Sequence, residues 1–245
     1  MILSLAQAGA FGLGLGGPPC ETWSAARHIE LPDGKGPRPL RSAERPWGLS
    51  SLFGRELRQL QTGSRLMLHQ LRAEVEIVLR GGGSMKEHPG CPADPAKASV
   101  WRTALHRQVI MQIVEAHELQ IQQWRFGASS PKPTIIRTLG LPHLGAQFRA
   151  CELPGVTYPK AVLGGKSDDG SFKTAAAKEY PPGLCRALIT AGVCGLRRRH
   201  IREGIRRIPT ASFDRDAYAW LCDMSRASQH QCTASTFKPD YQPTM

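Results

Sequence analysis

The sequence predicts an α/β fold: a parallel sheet with helices on its faces and long loops between them. Three observations carry that expectation. Apolar runs of strand length, bounded by Gly and Pro, occur at 10–15, 119–124 and 134–138, as buried strands require. Helical periodicity fills 54–78 and 100–117, so strand and helix alternate along the chain. A hydrophobic fraction of 41% over 245 residues is enough to bury a real core.

Taken in order, Met1 to Ala10 reads as a short helix stopped by Gly9, and Ala10 to Leu15 as a strand ending at Gly16-Gly17-Pro18-Pro19. Residues 1–17 are apolar, but they lack the basic start of a secretory signal and are too short to span a bilayer. Residues 31–48 are loop, since Pro32, Pro37, Pro39 and Pro46 forbid regular structure. From Gly54 to Val78, Leu57, Leu60, Leu68 and Leu71 mark one helix face and Arg58, Arg65 and Arg72 others. A strand is expected near Ser84–Lys86, leading into Glu87-His88-Pro89.

Ser99 is placed to cap a helix from Val100 to His117, with Val109, Ile110, Ile113 and Val114 as its apolar stripe. The strands 119–124 and 134–138 follow, and residues 140–172 are rich in Gly and Pro. A helix then runs from Pro182 to about Arg207, with a break expected at Gly192 and Gly195, and Ser212 is placed to cap a short helix over 213–225. This gives an α/β domain over 1–195 and a basic helix with a poorly ordered tail over 196–245.

Thirty-two Lys and Arg against 20 Asp and Glu leave a net charge of +12, a balance that favours polyanions, nucleic acid ahead of an anionic membrane. Seven cysteines occur without a Cys-x-x-Cys pair, so neither a metal centre nor a redox dithiol is signalled. Reduced thiols in a nuclear or cytoplasmic setting, not a secreted one, are the simpler reading. Arg197, Arg198, Arg199, Arg202, Arg206 and Arg207 stand against Glu203 alone. Such a run can contact phosphates or lie as a solvated helix face.

The chemistry concentrates in Gly16-Gly17-Pro18-Pro19-Cys20-Glu21-Thr22-Trp23-Ser24. Two prolines stiffen the turn after the strand, and a cysteine there is presented at the carboxyl end of a parallel strand, where open sheets bind ligands. Glu87 follows at the end of a second strand. These residues, in this order, resemble the Pro-Pro-Cys and strand-end Glu motifs of DNA cytosine-5 methyltransferases. Phe126-Gly127, Pro131-Lys132-Pro133 with Arg137, and the helix entry at Tyr180-Pro181-Pro182 extend the likeness as far as Leu188. The Glu-His-Pro form and the spacing are similar to methyltransferase-like segments in retroelement polyproteins of dinoflagellates.

The resemblance implies a partial Rossmann-like sheet of the class I methyltransferase type. It implies Cys20 as the nucleophile toward cytosine C6, Glu87 on the base edge, Lys132 and Arg137 on the base and flanking phosphate, and S-adenosylmethionine as the methyl donor. Arg197, Arg198 and Arg199 join Lys132 and Arg137 as candidate DNA contacts. The sequence departs from the family in Glu21, where Gln is usual, and in His88-Pro89, where Asn-Val is usual. Phe11 to Gly17 imitates a donor-binding glycine loop, but Pro18-Pro19-Cys20 stands where its helix should begin. The donor-binding half is therefore expected to be missing from this sequence, either lost or supplied by another chain or an upstream segment absent here, and little cofactor binding or methylation is expected of the chain alone. The alternatives are a non-catalytic nucleic-acid-binding domain and a retroelement polyprotein segment. No membrane partner is expected.

Overall fold

A computed structural model of the chain describes residues 1–30, 37–110, 116–160, 179–203, 219, 222 and 223. The elements are α1 (Ile2–Gln7), β1 (Leu13–Gly16), α2 (Gly54–Leu79), β2 (Gly83–Pro89), β3 (Ala116–Gln122), β4 (Pro133–Leu139), α3 (Gly145–Ala150) and α4 (Pro182–Glu203). Gly9 ends α1 with φ of 76°, a conformation that glycine adopts without strain.

The sheet order is β1-β2-β4-β3. β1 and β2 pair in parallel, Leu13 opposite Gly83 and Gly16 opposite Lys86. β4 runs antiparallel to both β2 and β3. The sheet is therefore mixed, and the fully parallel pairing expected from the sequence is corrected. Only β1 and β2 are joined by a long helix, and parallel strands need such a crossover. Residues 123–132 are too few for one, so β3 and β4 turn back on each other.

The two faces are packed differently. α2 covers one, with Met67, Leu68, Leu71, Val75 and Val78 meeting Trp101, Ile135 and Leu139. α4 covers the other, with Leu184, Ala187, Leu188 and Ala191 meeting Met85, Ile136 and Phe148. Since side chains alternate along a strand, β2 sends Met85 and Glu87 toward α4, and Ser84, Lys86 and His88 toward α2.

The α2 face holds an ionic row that runs from the buried Lys86 and Arg137 out to the exposed Glu118. Lys86, Arg137 and Glu118 lie side by side across β2, β4 and β3. Arg137, wholly buried, donates to a Glu74 oxygen from α2, and Gln70 donates to the other at 2.7 Å. Burial and the neighbouring Arg137 push the Lys86 ammonium well below its usual range. His106, buried among these cations, is held neutral. Its Nε2 lies 2.5 Å from Glu118 Oε1, so we assign it as a neutral N–H donor there.

Two other expectations are corrected. The helix expected over 100–117 is a 3₁₀ turn at Val100–Arg102 and a π-helical stretch at Leu105–Ile110, with Ala116 and His117 already in β3. Thr103 interrupts it, its hydroxyl donating to Val100 O at 2.7 Å and accepting from His106 N at 3.2 Å. Positions 113 and 114 lie outside the described residues. α4 runs through Gly192 and Gly195 without a break, so a boundary at 195 falls inside one helix. Those glycines serve close packing instead, Gly192 on Leu13 and Met85, and Gly195 on Leu141 and Leu144. α3 lies within the Gly- and Pro-rich stretch 140–172. The helix expected over 213–225 lies almost wholly outside the described residues.

Candidate active site

Cys20 sits four residues past the end of β1, and Glu87 lies in the adjacent parallel strand, pointing to the α4 face. The turn carrying Cys20 is anchored from behind. Trp23 N donates to Cys20 O at 2.8 Å, and the buried Arg41 donates to Thr22 Oγ1 from Nε at 3.1 Å and Nη2 at 3.0 Å. The same guanidinium lies 3.9 Å from the Trp23 ring centroid and donates to Pro46 O at 2.7 Å. A fixed loop of this kind holds its side chain in place before any ligand arrives.

Glu87 is held from three sides. Tyr180 Oη donates to Oε2 at 2.7 Å, Gln123 Nε2 donates to Oε1 at 3.0 Å, and Lys132 Nζ lies 3.5 Å from Oε1. Gln123 also donates to Thr134 Oγ1 at 3.0 Å. A carboxylate has four lone-pair positions, so this clamp leaves acceptor capacity for one further N–H donor. Gly17 is part of the same arrangement, since a Cβ there would collide with Tyr180 Oη.

Cys20 is half-buried and feels these groups. Burial pushes its thiol above the ordinary value, Lys132 pulls it down, and Glu87 and Glu21 push it up again. The thiolate is thus a minor species at neutral pH until charge nearby changes. Burial above all, with the Glu87 charge second, likewise raises the Tyr180 phenol, which stays protonated as a donor.

A test of this geometry is the pH profile of Cys20 alkylation by iodoacetamide, read by peptide mass spectrometry. The rate in the parent protein should still be rising above the ordinary thiol range. Glu87→Gln removes a negative neighbour and should move the profile to lower pH; Lys132→Met should move it higher. Profiles unchanged in both variants would place the sulfur away from both charges.

The sequence-derived residues are distributed unevenly. Cys20, Glu87 and Lys132 come together. Arg137 does not: it is wholly buried on the opposite, α2 face of the sheet, paired with Glu74. Its assignment to a DNA contact is corrected, because a buried, paired guanidinium cannot reach a phosphate. Arg197 and Arg198 are exposed, but they lie past Gly195, about 25 Å along α4 from Tyr180 at a rise of about 1.5 Å per residue. The side chain of Arg199 lies outside the described residues. His88 turns to the α2 face between Trp23 and Trp101, with ring centroids 6.4 and 6.0 Å away.

Gln123 and Tyr180 hold Glu87 although the sequence assigns neither a site role, Tyr180 standing only in the helix-entry string Tyr180-Pro181-Pro182. Tyr180 stands directly before Pro181-Pro182 at the entry to α4, the one signal that could have found it. Gln123 carries no comparable mark. Compared with models of known protein families, with curated proteins and with solved structures, the chain matches none.

Proposed function

We propose that this chain is a DNA cytosine-5 methyltransferase-like domain that performs the covalent half of the reaction. The observation carrying this reading is the convergence of Cys20 and Glu87 from adjacent parallel strands, with Glu87 clamped by Tyr180, Gln123 and Lys132. With an unstacked cytosine in place, the Cys20 thiolate adds to C6, forming the S–C6 bond. The C5=C6 electron pair moves toward C5 and N3. N3 takes a proton from water, which it gives back when S–C6 cleaves, and the Glu87 carboxylate accepts the N3–H meanwhile, making the ring a better electrophile. C5 then takes a proton from water. Loss of the original C5 hydrogen and cleavage of S–C6 return cytosine and thiolate.

S-adenosylmethionine does not fit the described residues. The glycines that imitate a donor loop, Gly14 and Gly16, lie in β1, with Ile77 and Gln70 filling the space a Cβ would take. Methyl transfer would need an additional polypeptide to hold the donor.

A second reading, a nucleic-acid-binding domain without chemistry, is favoured by the raised Cys20 thiol, since a protonated sulfur is a poor nucleophile. One measurement separates them. In D₂O the first reading predicts replacement of cytosine C5 hydrogen by deuterium in a DNA oligonucleotide, detected by mass spectrometry without any methyl donor. DNA that binds but never exchanges supports the second.

A further inference from the structure

The outer face of α2 carries a row of polar residues that the site above does not use. Arg55, Arg58, Thr62, Arg65, His69 and Arg72 recur at alternating intervals of three and four residues, so they form one stripe along the helix. The stripe lies on the side away from Leu60, Met67, Leu71, Val75 and Val78, which face the core. Arg55, Arg58, Thr62 and Arg65 are exposed. Its continuity shows in His69, whose imidazole is pushed down first by burial and then by the charges of Arg65 and Arg72. Past Arg72 the same side is covered by α1, where Gln7 Nε2 donates to Glu76 Oε1 at 3.0 Å.

The N-terminal half of the stripe meets the Cys20 loop. A cavity of about 310 Å³ is lined by Pro19, Glu21 and Thr22 on one side and by Arg55, Arg58, Gln59 and Thr62 on the other. Arg55 and Arg58 make no ion pair among the described residues, and the neighbouring Glu56 is taken by Arg38 at 2.6 Å. Glu21 is the one acidic side chain lining the cavity. Phe53, at the start of α2, is 77% exposed beside Arg55, and an exposed ring is a surface on which an unstacked base can lie.

We infer that this stripe is the track for the DNA phosphate backbone, delivering a strand along α2 to the cavity beside Cys20. The inference rests on the cytosine reading for the identity of the polyanion. The stripe is about 25 Å long, enough to pass several phosphates of one strand, which recur about every 3.4 Å. The only exposed large apolar side chain of α2 is Leu66, too little for the apolar face that a helix lying in a membrane interface needs. Arg197 and Arg198, at the far end of α4, take no part.

The test is the salt dependence of binding to a fluorescent duplex, measured by anisotropy on the full chain. The Arg55→Ala/Arg58→Ala/Arg65→Ala triple variant should lower the slope of log affinity against log salt by about 2 to 3, near 0.9 for each phosphate that is no longer neutralised. The corresponding lysine triple variant should keep the slope, which separates charge from folding, and Arg197→Ala/Arg198→Ala should keep it too. An unchanged slope in the alanine triple variant, with cytosine C5 exchange intact, would overturn the track and leave the proposed function standing. Absence of both DNA binding and exchange in the parent protein would overturn both. Binding to phosphatidylserine vesicles but not to DNA, abolished in the triple variant, would overturn the choice of DNA.

Discussion

Replacing Cys20 with serine should abolish exchange of the cytosine C5 hydrogen, by roughly 10⁴-fold or more, the scale of losing a catalytic nucleophile. A serine hydroxyl has no appreciable alkoxide at neutral pH, and no base is placed to activate it: the Glu87 carboxylate is already engaged by Tyr180, Gln123 and Lys132. The fold should not suffer. Cys20 is half-buried on a turn held by Arg41 and Trp23, and a change of sulfur to oxygen there should stay within about 0.5 kcal/mol. DNA affinity should be retained as well, since the proposed phosphate contacts lie on α2. A Cys20→Ser protein that still exchanges at the parent rate would remove Cys20 from the chemistry.

The second large effect concerns stability. Glu74→Met should cost about 3–5 kcal/mol, because it leaves the Arg137 guanidinium buried without its counter-charge and directly beside Lys86. Arg137→Met should cost a similar amount by stranding Glu74. The double variant should recover most of the loss, since two methionines of similar length fill the space without any charge to desolvate. Urea unfolding of the four proteins measures this. A single variant losing less than about 1 kcal/mol would mean that water reaches the pair. For a domain whose total stability is about 5–15 kcal/mol, either single change is close to the limit of folding.

Much of this arrangement is legible in the chain, and the rest fails for identifiable reasons. The Pro-Pro turn after an apolar run and the strand ending in Glu-His-Pro are local signals, so the placement of Cys20 and Glu87 can be read directly. α2 is equally plain, because Leu57, Leu60, Leu68 and Leu71 keep helical spacing. Strand direction at β4 is misjudged from apolar runs alone, although the short stretch from Gln122 to Pro133 cannot hold a crossover. Arg137 is misassigned when its charge is weighed and its parity is not: it alternates with Ile136 and shares a face with Ile135 and Leu139, both buried in the α2 core. Gln123 and Tyr180 escape for a different reason. Their roles arise only where a 3₁₀ turn and a helix entry meet at one carboxylate, and no local pattern records that meeting.

The sheet order also has a consequence for the order of events during synthesis. β1 leaves the ribosome first, yet its partner β2 begins only after the whole of α2, and β2 in turn waits for β4 on its other side. At about 5–20 residues per second, the growing chain carries an apolar, glycine-rich β1 without a partner for several seconds. Glu87 waits longer, because its clamp closes only when Tyr180, 93 positions later, has emerged. Until then the nascent chain holds a cysteine and a carboxylate that have not yet met. A ribosome stalled before residue 180 would therefore display the thiol without the partner that fixes Glu87, and alkylation of stalled chains of increasing length should show when the site is assembled.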